Sequence, residues 1–287
     1  MASFVIHHVA GIEFLKQIER FYEISLTEEQ KNQFLLGNLI VDSTKIKFKV
    51  PKGLCSDEVT LLKRDYMMKT QEEKMSTHFR NPKDKDLCVQ APIVENFVNK
   101  YENIIKVDFS ALGYLYHLYT DKIFFNNLFK ESFECLDKNE LPTIYSKNLK
   151  FIKILKNGII YLFTDVFSKD SNISIYNDYT VMNKIILNYY NVSFDFEYFC
   201  NYASKNFINP GINEVDYNNI TDVLKNTRNY IEQSNDIKGS NLNVFDIEKV
   251  KLFVPRVVNN FFNDYKFIIN EIITNRKDIK KRNLTKL

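Results

Sequence analysis

The sequence predicts a mainly α-helical fold, a multi-helix bundle with one small β-hairpin inserted near 149–163. Three observations predict it. Only 7 Gly and 6 Pro punctuate 287 residues, too few for the turns that many short strands require. Apolar residues recur at helical spacing over most of the chain. A lone Asn157-Gly158 pair lies between two β-branched runs, LKFIKILKNGIIYLFT, which is the strongest short-range hairpin signal.

Taken in order, Gly11–Tyr22 (GIEFLKQIERFY) has a helical apolar stripe. Thr27 is placed as the N-cap of a second helix, with Glu28 and Glu29 in the first turn and Gln30 at the capping-box position. That helix should run into Gly37 and release the chain near Asp42. A helical stretch is expected around Ser56–Met75, and Pro82 marks a break after His78. Pro92 is placed in the first turn of the helix PIVENFVNKYENII, where its missing N–H costs nothing. The next helix is expected from Asp108 to about Leu136. After the hairpin, helices are expected at about Tyr176–Tyr190, Phe194–Lys205, Tyr217–Ser234 and Asp246–Asn275, with Pro255 set to kink the last. The closing NRKDIKKRNLTKL reads as a solvated, frayed tail. We read one domain over 1–287: a ligand-bearing half of about 1–137, a pocket-covering half of about 138–275, and a basic tail of 276–287.

Composition excludes several classes. With 45% hydrophobic and 26% charged residues the chain is ordinary for a globular protein, and a net charge of +3 makes no case for a nucleic-acid partner. Cys55, Cys88, Cys135 and Cys200 form no C-x-x-C pair, which argues against a cysteine zinc site or a disulfide framework. The segment MASFVIHHVAGIEF lacks the marks of a secretory signal, and no window approaches the ~18–20 apolar residues of a membrane span. The expectation is a cytoplasmic protein with reduced thiols.

Four histidines are all the chain has, and their company is informative. In FSALGYLYHLYTDKIFF, His117 and Asp121 are one turn apart and project from the same helical face. Gly113, a further turn back, would let another helix or a ligand approach. An imidazole and a carboxylate so spaced commonly hold a divalent metal, although a satisfied core hydrogen bond would look the same. His7 and His8 stand at the head of the first helix, and His78 lies in a polar loop, THFRN. Asp42 directly follows Leu39, Ile40 and Val41, so it is expected to be partly buried and to need a cation. No Lys or Arg precedes it closely, and Lys45 is the nearest after it.

The order His7, Asp42, His78, His117-x-x-x-Asp121, carried by FVIHHVAG, LLGNLIVDS, STHFR and ALGYLYHLYTD, resembles the zinc-dependent phospholipase C family, an all-helical metallohydrolase fold related to the S1/P1 nucleases. The resemblance covers about the first 125 residues. It implies that Asp42, His78, His117 and Asp121 surround one metal, and that Asp121 bridges to a second metal held by His7. His8 is the alternative ligand or the partner of another. The sequence departs from the family in having no Trp to supply a free terminal amine and no histidine after His117. A third metal site must therefore be absent or rebuilt from carboxylates. Asp178 is the candidate substitute ligand or pocket wall, and helix capping is its equal alternative. Arg80 and Lys122 flank ligands and could hold a phosphate, or simply be surface charges.

The implied cofactor is one or two divalent ions, Zn²⁺ first, with Fe²⁺ or Mn²⁺ as alternatives. Asp42 would serve both as ligand and as the general base that orients an attacking water. The implied reaction is hydrolysis of a small-molecule or lipid-derived phosphoester. Three alternatives stand beside it. An HD-type phosphohydrolase ranks low because no His-Asp dipeptide occurs. Hydrolysis of an amide or glycoside would use the same chemistry, and a non-catalytic protein would use the metal as a structural pin.

Overall fold

The computed structural model describes residues 2–43, 72–168, 171–235 and 241–284. Most of the stretch expected to be helical at Ser56–Met75 lies outside the described residues, as do Lys45 and Cys55. The fold is mainly helical with a small antiparallel sheet, as the sequence predicts. In chain order the helices are α1 (Phe4–Tyr22), α2 (Glu28–Ile40), α3 (72–77), α4 (Val94–Ile105), α5 (Phe109–Ile123), α6 (Phe163–Val166), α7 (Ile175–Tyr190), α8 (Phe196–Asn206), α9 (Ile220–Asn235), α10 (Ile247–Asp264) and α11 (Lys266–Leu284). No described helix is long and apolar enough to cross a membrane.

Local chemistry sets the ends. The Ser3 hydroxyl accepts from the Ile6 N–H, so α1 starts well before Gly11 and takes His7 and His8 into its first turns. Thr27 and Gln30 form the expected capping box of α2. Asp195 accepts from the Tyr198 N–H, which starts α8 at Phe196 rather than Phe194. Pro92 lies outside α4, which opens at Val94 without a side-chain cap.

Helix α5 is the axis of the molecule. Every residue from Phe109 to Asp121 is buried, as expected of a helix apolar on all sides. Helix α2 crosses it at two glycines. A Cβ on Gly37 would drive into the Ser110 carbonyl, and one on Gly113 into the Phe34 carbonyl, both far inside van der Waals contact. The two backbones can touch only because both side chains are missing.

Three expectations need correction. The helix expected to reach Leu136 ends at Ile123, passes through a π-helical stretch, Phe124–Phe129, and gives way to strand β1 (Phe133–Leu136). β1 pairs antiparallel with β2 (Phe151–Ile154), which pairs with β3 (Ile159–Leu162) in the predicted hairpin. Gly158 turns that hairpin at φ +72°. Pro255 sits inside α10 while the break falls at Tyr265 (φ −114°, ψ 21°), so one expected helix is two. Helix α11 continues to Leu284, so most of the basic tail is helical rather than frayed.

Candidate metal centre

Four separate segments deliver five ligand-type side chains to one buried place. α1 brings His7, the turn after α2 brings Asp42, the turn after α3 brings His78, and α5 brings His117 and Asp121. His7 Nε2 is 3.4 Å from Asp121 Oδ1. His78 Nε2 is 3.5 Å from Asp42 Oδ1 and 3.6 Å from Asp121 Oδ2. The His7 and His117 rings stack 3.8 Å apart, within 6° of parallel, and His78 meets His117 nearly edge-on at 5.3 Å. Two triads, His7/Asp42/His117 and His78/His117/Asp121, each bring their ligand atoms within 4.8 Å of one another. All five side chains are buried, Asp42 being the most open at 4% exposure.

The backbone fixes which nitrogen is free. His117 Nδ1 is 2.7 Å from the Asn38 carbonyl, which can only accept, so Nδ1 carries the proton and Nε2 a lone pair. His78 Nδ1 likewise donates to the Lys74 carbonyl at 3.1 Å, with the Thr77 hydroxyl at 2.9 Å. The Tyr114 hydroxyl donates to the Thr77 carbonyl, tying this turn to α5. The His78 lone pair therefore confronts two carboxylate oxygens with no proton between them.

Charge sharpens the point. Burial drives His117 down to about 3, with His7 adding to the effect, and burial likewise lowers His78. Burial alone would raise Asp42, but His78, His117 and Lys74 more than reverse it and hold the carboxyl well below its usual range. Asp121 is held low in the same way, against burial, chiefly by His7. That support depends on positive charge on the rings, yet burial leaves His78 and His117 short of a proton at neutral pH, so the two carboxylates face imidazoles that cannot offset them. Among the described residues no Lys or Arg nitrogen lies within 4 Å of either acid. His7 Nε2, His78 Nε2, His117 Nε2, Asp42 Oδ1 and Asp121 Oδ2 all lack a hydrogen-bond partner among the described residues. Orphaned polar atoms of this number at one point are costly unless a cation gathers them.

The other candidates fall elsewhere. His8 is buried against the edges of Phe194 and Phe199, its pKa pushed down to about 4 by burial, and it joins neither triad. Asp178 accepts backbone N–H groups from Asn243, Val244 and Phe245, while Ser174 caps its helix, so it anchors a loop and is neither cap nor grouped ligand. Lys122 pairs with Glu95 at 2.6 Å. Arg80 stands next to the site and is treated below.

Sequence reasoning missed Asn38. Its carbonyl holds His117, its Nδ2 donates to the His7 carbonyl at 2.6 Å, and its Oδ1 is buried without a partner. A polar residue in the middle of LLGNLIVD was the available signal. Ala2, whose N–H donates to Asp121 Oδ1 at 2.8 Å, left no signal at all. No family model, curated protein or solved structure matches the chain.

Proposed function

We propose that the cluster holds divalent metal and that the protein is a metal-dependent hydrolase acting on a phosphoric ester. The observation carrying this reading is the convergence of five buried, unpartnered nitrogen and oxygen atoms on one centre. Their chemistry, imidazole and carboxylate without thiolate, suits Zn²⁺ first, with Fe²⁺ or Mn²⁺ as alternatives. Because the His7 and His117 rings stack in parallel, they would serve two positions rather than share one. His7 with Asp121 Oδ1 would hold one, and His78, His117, Asp42 and Asp121 Oδ2 the other, with Asp121 between them.

A divalent ion held here supplies Lewis acidity and a more acidic water. Asp42, the least enclosed ligand, would orient the attacking water; with its carboxyl held well below the usual range it is a weak acceptor for the released proton. Asn38 sets the His117 tautomer, and Lys74 sets that of His78.

Metal analysis of the purified protein, followed by a screen of phosphomonoesters, phosphodiesters, amides and glycosides with added Zn²⁺ or Mn²⁺, tests the proposal. Two bound ions and metal-dependent release of phosphate or alcohol support it, and absence of metal uptake defeats it. Near-complete burial of the ligands favours a second reading, a structural metal that pins α1, α2 and α5 together. In that case metal binds but no ester turns over.

A further inference from the structure

We infer that Arg80 is the oxyanion-recognition residue of this centre, receiving the non-bridging oxygens of a phosphoryl group; the inference rests on the hydrolase reading above. Arg80 follows His78 by two residues. Between them Phe79 adopts φ +50°, a left-handed conformation that a bulky side chain rarely takes. The turn is tied down on both sides: the Arg80 N–H donates to the Met75 carbonyl at 2.9 Å, and the Ile93 N–H donates to the Phe79 carbonyl at 3.1 Å. The guanidinium stacks over the Phe125 ring at 5.5 Å.

Two of its three nitrogens are then left with nothing to bond. Nε and Nη2 are both buried and have no hydrogen-bond partner among the described residues. Asp42 and Asp121 act on the guanidinium electrostatically, yet neither comes within ion-pair distance. A buried cation with empty donors is costly, and a positive charge beside a metal site weakens metal binding. An anion lying between the guanidinium and the ions removes both penalties.

The geometry of that anion can be specified. The guanidinium fork takes two oxygens side by side. A tetrahedral phosphoryl group offers two oxygens to the fork and keeps another for the metal. A carboxylate, with only two, cannot serve both fully. Arg80 as a residue is part-exposed while Nε and Nη2 are enclosed. Lys122, the other flanking cation, is engaged by Glu95.

The test is calorimetric titration of the metal-loaded full chain with inorganic phosphate, and separately with acetate, for wild type, Arg80→Lys and Arg80→Met. We expect wild type to prefer phosphate to acetate by tenfold or more. Arg80→Met should lose phosphate affinity by at least tenfold with metal stoichiometry unchanged. Arg80→Lys should recover part of that loss, because it keeps the charge without the fork. Undiminished phosphate binding by Arg80→Met overturns the assignment, as does equal affinity for acetate, or a loss of metal that accompanies the loss of phosphate. If wild type takes up no metal, the hydrolase reading itself has failed, which is a separate result from any of these.

Discussion

The Asn38 carbonyl oxygen accepts the His117 Nδ1 proton at 2.7 Å across the α2–α5 crossing. That distance exists because Gly37 and Gly113 let the two helix backbones meet. Gly113→Ala would force a methyl group into the Phe34 carbonyl, which is backbone and cannot swing aside. The expected outcome is a loss of at least ~3 kcal/mol, read by urea unfolding, together with weaker metal binding. A variant as stable as wild type would mean that the helices do not cross so closely.

The stacked His7 and His117 rings make metal content diagnostic. Wild type should hold two ions per chain, and His7→Ala should hold one. His78→Ala and Asp121→Asn should lose more, because His78 would serve the position richest in ligands and Asp121 would serve both. Elemental analysis after dialysis reads this directly. One ion per wild-type chain, unchanged by His7→Ala, would remove His7 from the centre.

Asp178 should behave as an anchor. Asp178→Ala leaves three backbone N–H groups at 243–245 without their acceptor, at ~1–3 kcal/mol for each one that stays buried. Thermal unfolding should show a drop of several degrees or more, while metal stoichiometry stays at the wild-type value. A fall in bound metal with stability preserved would restore its role as a ligand.

His8 predicts an acid sensitivity separate from the metal. Its folded pKa lies at about 4, below the ordinary 6.5, so the unfolded chain binds the proton first as pH falls. Stability tied to His8 is therefore complete above pH 6.5 and is lost on the way down to about pH 4. The full shift corresponds to about 3 kcal/mol. In metal-free protein, the stability difference between wild type and His8→Leu should move toward the variant by about that amount from pH 7 to pH 4. Parallel stability curves would mean that His8 is not buried as a neutral ring.

Much of this was legible in the sequence because the signals were local. Capping at Thr27 and Gln30, the Asn157-Gly158 turn, and the shared face of His117 and Asp121 depend on neighbours a few residues apart. The failures were non-local. Strand β1, FECL, is four residues long and is a strand only because β2 lies beside it. Asp178 could be read as a ligand, a pocket wall or a helix cap, and its bonds to the backbone at 243–245 depend on residues 65 to 67 positions away. Between the adjacent His7 and His8 the resemblance favours His7, and in the fold Phe194 and Phe199 pack against His8 while His7 joins the cluster.

Because His7 and His117 are 110 positions apart yet end ring on ring, no partly formed chain can present the full ligand set. On the proposed reading, an ion added during refolding would find its grip only after the first half of the protein has closed. It would therefore act as a late latch, lengthening the lifetime of the folded form while leaving the speed of folding nearly untouched.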